Sequence, residues 1–128
     1  MATNTYVALD KVTVGTAVSS ITFSSIPSTY TDLVIVVNGA QSANQYTALR
    51  FNADSGTNYS QTRLLGDGTT ASSDAQTNAT YGRYGAGNIT NASFGIIHVM
   101  NYANTTTYKT WLSRTSIPSS MISSVTGT

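Results

Sequence analysis

Leu33-Val-Ile-Val-Val37 is the longest aliphatic run in the chain, and its reading decides the fold. Successive side chains on a strand point to opposite faces, so a run that is apolar at every position offers no face suited to water. It predicts a central strand, covered on both sides or set at an interface. Five residues are far too few to span a bilayer.

Outward from that run, the chain keeps the same character. Glu is absent and Lys occurs twice, whereas Thr, Val, Ile and Tyr, which fit a pleated surface, are abundant. Residues 6–14, 18–23, 32–38, 46–52, 59–65, 80–84, 94–101, 108–115 and 121–126 read as strands separated by Gly, Asn, Ser and Pro. The expectation is an all-β chain: one domain over residues 1–128, an antiparallel, jelly-roll-like β-sandwich of eight or nine short strands. Around the single tryptophan, Tyr108, Thr110 and Leu112 alternate with Lys109, Trp111 and Ser113, which puts Trp111 and Tyr108 on opposite faces. The polar, aperiodic stretch from Gly66 to Ala79 reads as a long loop.

Charged residues make up 9% of the 128, against about 25% in an ordinary soluble domain. The surface is instead supplied by 22 Thr, 17 Ser and 10 Asn. Such a surface wets well but repels its own copies weakly, which suits a protein that assembles. Lys11, Arg50, Arg63, Arg83, Lys109 and Arg114 are scattered and the net charge is +1, so no nucleic-acid footprint is expected. Residues 1–15 carry no basic segment leading into an apolar one, so neither a signal peptide nor a membrane partner is expected. With no cysteine, packing and hydrogen bonds must hold the fold.

Candidates for chemistry are sparse. The one imidazole, His98, shares a strand face with Ile96 and Met100 and reads as a structural or interface histidine, while Asp10, Asp32, Asp54, Asp67 and Asp74 are dispersed. No Gly-x-Ser-x-Gly elbow occurs, so catalytic residues, metal ligands and cofactors are not expected. Asn52-Ala-Asp-Ser-Gly-Thr-Asn58 lacks the carboxylates of a helix-loop-helix calcium loop and reads as a hairpin turn. Tyr81-Gly-Arg-Tyr-Gly-Ala-Gly-Asn88 lacks the spacing of a phosphate cradle and reads as a turn region. Its Tyr81, Arg83 and Tyr84, with Trp111, are the candidate interface residues, since Tyr, Trp and Arg give large contact area and directional hydrogen bonds. Five Asn-x-Ser/Thr triplets, at Asn58, Asn78, Asn88, Asn91 and Asn104, are little more than chance predicts in so hydroxyl-rich a chain.

Several whole segments carry a resemblance. Tyr6-Val-Ala-Leu9 leads to Ser19-Ser-Ile-Thr-Phe-Ser-Ser-Ile-Pro27, then Tyr30-Thr-Asp-Leu-Val-Ile-Val-Val37, then Leu49-Arg-Phe-Asn-Ala-Asp-Ser-Gly-Thr-Asn-Tyr59, with Ile96-Ile-His-Val-Met-Asn-Tyr102 and Lys109-Thr-Trp-Leu-Ser113 further on. In this order they resemble small β-sandwich virion proteins of tailed bacteriophages, of the decoration type. The resemblance implies a β-sandwich domain of the particle without enzymatic activity, on head or tail. Small size and a single domain favour a capsid decoration or cement protein on the outer surface of the virion, bound to the major capsid protein, and low charge with the two-faced apolar run Leu33–Val37 predicts self-association, as a homotrimer. Proteins of this group usually continue past the equivalent of Thr128 with further strands; this sequence departs from that pattern, and a last sheet left open is the expectation. The competing reading is a receptor- or glycan-binding module of a phage fibre, with Trp111, Tyr102, Tyr108, Tyr81 and their Asn and Thr neighbours as candidate sugar contacts.

Overall fold

The structure is a computed structural model and describes residues 5–41, 47–85, 93–117 and 121–127. It is all-β and antiparallel. The strands are β1 (Leu33–Gly39), β2 (Ala48–Leu49), β3 (Tyr59–Gly66), β4 (Ala71–Ala79), β5 (Gly82–Arg83), β6 (Ser93–Met100), β7 (Thr110–Ile117) and β8 (Met121–Gly127). Six form one sheet in the order β1-β6-β7-β8-β3-β4, and β2 pairs with β5 as a short ribbon. The two layers are therefore very unequal.

Register sorts the large sheet into two faces. On the inner face one row runs Leu33, Val99, Trp111, Gly127, Gln61, Gln76, and the next brings together Ile35, Ile97 and Ser113 from β1, β6 and β7 and, across β8, Arg63 and Asp74 from β3 and β4. The rows begin apolar at β1 and end polar at β4. Trp111, with no exposed surface, sits against Phe51 and Tyr59 at ring-centroid distances of 6.1 and 6.3 Å. The ribbon roofs it: Trp111 Nε1 donates to the Arg83 carbonyl at 3.4 Å, and Ser113 Oγ donates to the Tyr84 carbonyl at 2.7 Å. Such close approach requires glycine at two places. A Cβ at Gly82 or at Gly127 would lie 2.6 or 2.3 Å from the indole ring.

Several expectations are corrected. Among the described residues Leu33–Val37 is an edge strand, not a central one: β1 is paired there by β6 alone, and Val36 is 60% exposed. The stretch expected to be a loop contains β4. Polarity on both faces hides its period, because the face toward the core pairs polar side chains across to β3, Gln61 Nε2 donating to Gln76 Oε1 at 2.7 Å and Arg63 forming a two-point ion pair with Asp74. A tight turn makes the hairpin possible: Gly68 has φ +86, and Asp67 Oδ1 accepts from the Thr69 and Thr70 N–H groups. One extra residue of β4 opposite Tyr59–Gln61 forms a bulge, with Asn78 at φ 55. The strands expected near residues 46–52 and 80–84 shrink to the two-residue β2 and β5, and residue 46 lies outside the described residues. The last strand is not at an open edge either, because β8 is paired on both sides, by β7 and β3.

The largest correction concerns residues 6–14 and 18–23, where strands were expected. These residues join neither sheet, and residues 5–32 are exposed throughout. Strand propensity measures fit to a pleated, half-buried surface, and without a partner strand that fit has nothing to act on.

Candidate interaction face

The outer face of the large sheet is built from the other half of each alternation. On β6 the inward residues are Ser93, Gly95, Ile97 and Val99, while the outward ones are Phe94, Ile96, His98 and Met100. The bulkier set therefore faces solvent. Register extends this surface sideways: Val34, His98 and Leu112 form one row, and Val36, Ile96 and Arg114, with Leu64 on the far side of β8, the next. Phe94 is 47% exposed and Leu64 62%. Six strands give a face roughly 24 Å wide. Among its described residues Arg114 is the one fixed charge, so a partner could cover it with little charge desolvation.

The four candidate interface residues do not form one surface. Trp111 and Tyr84 belong to the core, which corrects their assignment: in the single chain the ribbon and Phe51 cover them. Burial also pushes the Tyr84 phenol up from its ordinary value. Tyr81 and Arg83 are half-buried at the ribbon. Nor are the aromatics of the glycan reading brought together. Trp111 is buried, the Tyr102 hydroxyl donates to the Pro27 carbonyl, and Tyr108 is 83% exposed ahead of β7. The residues that sequence reasoning missed are Phe94, Leu64 and Leu112, whereas Val36 belongs to the run for which an interface was one reading; for Phe94 the outward period on β6 was the available signal.

The carboxylates serve local structure. Asp32 accepts from the Asn101 N–H at 2.7 Å, where Asn101 turns the chain at φ 50. Asp54 accepts from the Gly56 N–H at 2.8 Å and from the Asn58 amide at 3.0 Å, and the Tyr59 hydroxyl donates to its carbonyl at 3.2 Å. The Asn58 amide first, then the Gly56 N–H, hold the Asp54 carboxyl below its ordinary value. The segment expected to be a hairpin turn is an Asx turn braced by the core tyrosine, but it closes no hairpin, because it links β2 and β3, which lie in different sheets. Asp67 is likewise lowered, chiefly by the Thr70 N–H and next by Thr69. Among the described residues no group of three His, Cys, Asp or Glu side chains could hold a metal ion. Residues 86–88 of the glycine-rich turn, and the triplets at Asn88 and Asn91, lie outside the described residues.

No protein-family model matches this chain, and no curated protein or solved structure matches it either.

Proposed function

We propose that this chain is a non-enzymatic structural protein of a tailed-phage particle: a decoration or cement protein that self-associates, as a trimer, on the outer surface of the head and contacts the major capsid protein. The observation that carries an assembly role is the inversion on β6, where Phe94, Ile96 and Met100 face solvent while Ser93 and Gly95 face the core. A continuous apolar surface of low charge is what a protein interface uses and what a freely soluble monomer limits. The identity of the particle rests on the segment order from Tyr6 to Ser113. On this reading the jelly-roll-like sandwich is completed in the assembly, where a second layer covers the outer face. Binding to the lattice then stabilises it by mass action, because the partner's surface exists only once subunits are joined.

The test compares the wild-type chain with the double variant Ile96→Lys, Leu112→Lys. Both side chains are more than a third exposed, so the single chain should fold with its Trp111 signal unchanged. Wild-type protein should co-sediment with heads of the phage that encodes it, and the double variant should not. Binding to tails or to host envelope material instead of heads would defeat the decoration reading in favour of the fibre module.

A further inference from the structure

The segment preceding β1 is as unusual as the sheet. Seventeen large hydrophobic side chains of the described chain are exposed, and ten of them, from Tyr6 to Tyr30, lie in residues 5–32. This arm is tied down at its C-terminal end, where Tyr102 bonds to the Pro27 carbonyl and the Asn101 N–H donates to Asp32 at 2.7 Å. Beyond Pro27 it runs free of both sheets. Its sequence has the β-branched and aromatic content of strands, and residues 5–26, extended, reach up to about 70 Å.

The sheet offers one place of matching chemistry. Its two edges are β1 and β4. The β4 edge carries Ser72, Ser73, Asp74, Gln76, Thr77 and Asn78, the polar and charged character that discourages strand addition. The β1 edge is aliphatic from Leu33 to Val37, has no neighbour on its outer side among the described residues, and leads onto the apolar outer face through Val36, paired with Ile96. An unprotected apolar edge and an unpaired arm of strand-forming residues are complementary: each supplies what the other lacks.

We infer that residues 5–26 of one copy add as a strand to the β1 edge of a neighbouring copy, so that the subunits of the oligomer are joined by exchanged arms. The contact is heterologous, arm to edge, and such contacts close into a ring when the rotation between copies allows, a trimer being one closed solution. The apolar surface carried by the nine half-exposed side chains of residues 5–26 is on the order of 800 Å², comparable with what each partner contributes to a specific interface. This inference rests on the self-association proposed above and not on the identity of the particle.

The test uses the full chain with the photo-crosslinking residue p-benzoylphenylalanine at position 36, prepared in light and heavy nitrogen isotopes and mixed by co-refolding. After irradiation, peptides linked to β1 are identified by mass. Links to residues 5–26 with mixed isotopes are expected. Oligomers without such links would overturn arm exchange while leaving self-association intact, and links of a single isotope label would show the arm folding onto its own subunit and overturn it too. A monomer by light scattering at all concentrations would overturn both. As a second arm, Ile21→Asp with Phe23→Asp in the full chain should give a folded monomer with the Trp111 near-ultraviolet signal retained; oligomers of unchanged size would count against the exchange.

Discussion

Gly127→Ala probes the most crowded contact in the core. A Cβ there would stand 2.3, 2.4 and 2.8 Å from Cζ2, Cη2 and Cε2 of Trp111. Carbon atoms rest about 3.5–4.0 Å apart, so ring and strand must separate by roughly 1 Å. The ring has little room to retreat. Gly82 on the ribbon meets the same three ring atoms, with Cζ2 2.6 Å from its Cβ position, and Phe51 and Tyr59 stand at its other sides. β8 cannot easily yield either, being bonded to β7 and β3. The strain belongs at the upper end of the overpacking range, about 3 kcal/mol. Removing a glycine from the unfolded chain returns about 0.4–1 kcal/mol. A net loss of about 2 kcal/mol is expected, or roughly 6–10 °C in Tm for a chain of this size. Tryptophan fluorescence melts at fixed protein concentration measure it directly. In a Trp111→Phe background the same Gly127→Ala change should cost at least about 1 kcal/mol less, since the contacting atoms are gone. An unchanged Tm, or equal losses in both backgrounds, would refute the packing described for Trp111.

Asp74→Asn should lower stability by about 1–2 kcal/mol, because Arg63 is buried beside it and loses a charge-assisted bond, as urea unfolding will show. Raising salt from about 0.05 to 0.5 M should move Tm by no more than about 2 °C, since that pair is hydrogen-bonded at two points and charges are otherwise few. Asp54 and Asp67 are held below the ordinary 3.8, so their contribution is complete above that value and disappears as pH falls through their lower folded values. Tm should therefore be level from pH 7 to about pH 4.5 and decline below about pH 4, with a shallower decline in Asp67→Asn. His98→Ala should change stability by less than about 0.5 kcal/mol in urea titrations, because the ring lies on the exposed face.

Much of the sheet was legible. The stretches around Phe94–Met100 and Trp111–Thr115 alternate as strands should, and Tyr108 and Trp111 do occupy opposite environments. What alternation cannot reveal is which face is inside. On β7 the buried set is Trp111, Ser113, Thr115 and the exposed set Leu112, Arg114, Ser116; neither composition alone marks the core. The decision is made by distant residues, the glycines at 82 and 127 that admit the indole and the ribbon that covers it. The same ambiguity explains the site. Trp111 and Tyr84 have the chemistry of interface anchors and of core residues alike, whereas Phe94 and Val36 are apolar and exposed. β4 was illegible because its burial is polar, and the arm because strand propensity carries no information about a partner.

These mismatches share a location. Across the inner rows, polarity rises from Leu33, Ile35 and Val37 at β1 to Gln76, Asp74 and Ser72 at β4, so the sheet ends in an ion pair and an amide pair on one side and in aliphatic side chains on the other. The outer face repeats the gradient, with Val34, Val36, Phe94 and Ile96 near β1 and Ser73 and Ala75 on β4. The unpaired arm departs from the same end, at Asp32. A chain selected to be a soluble monomer would guard its apolar edge with charge, proline or a covering loop. Here the guarded edge is the polar one. The distribution makes sense if the β1 end is covered after folding, and the exposed arm is then a surface held ready for a neighbour rather than a failure of the chain to fold.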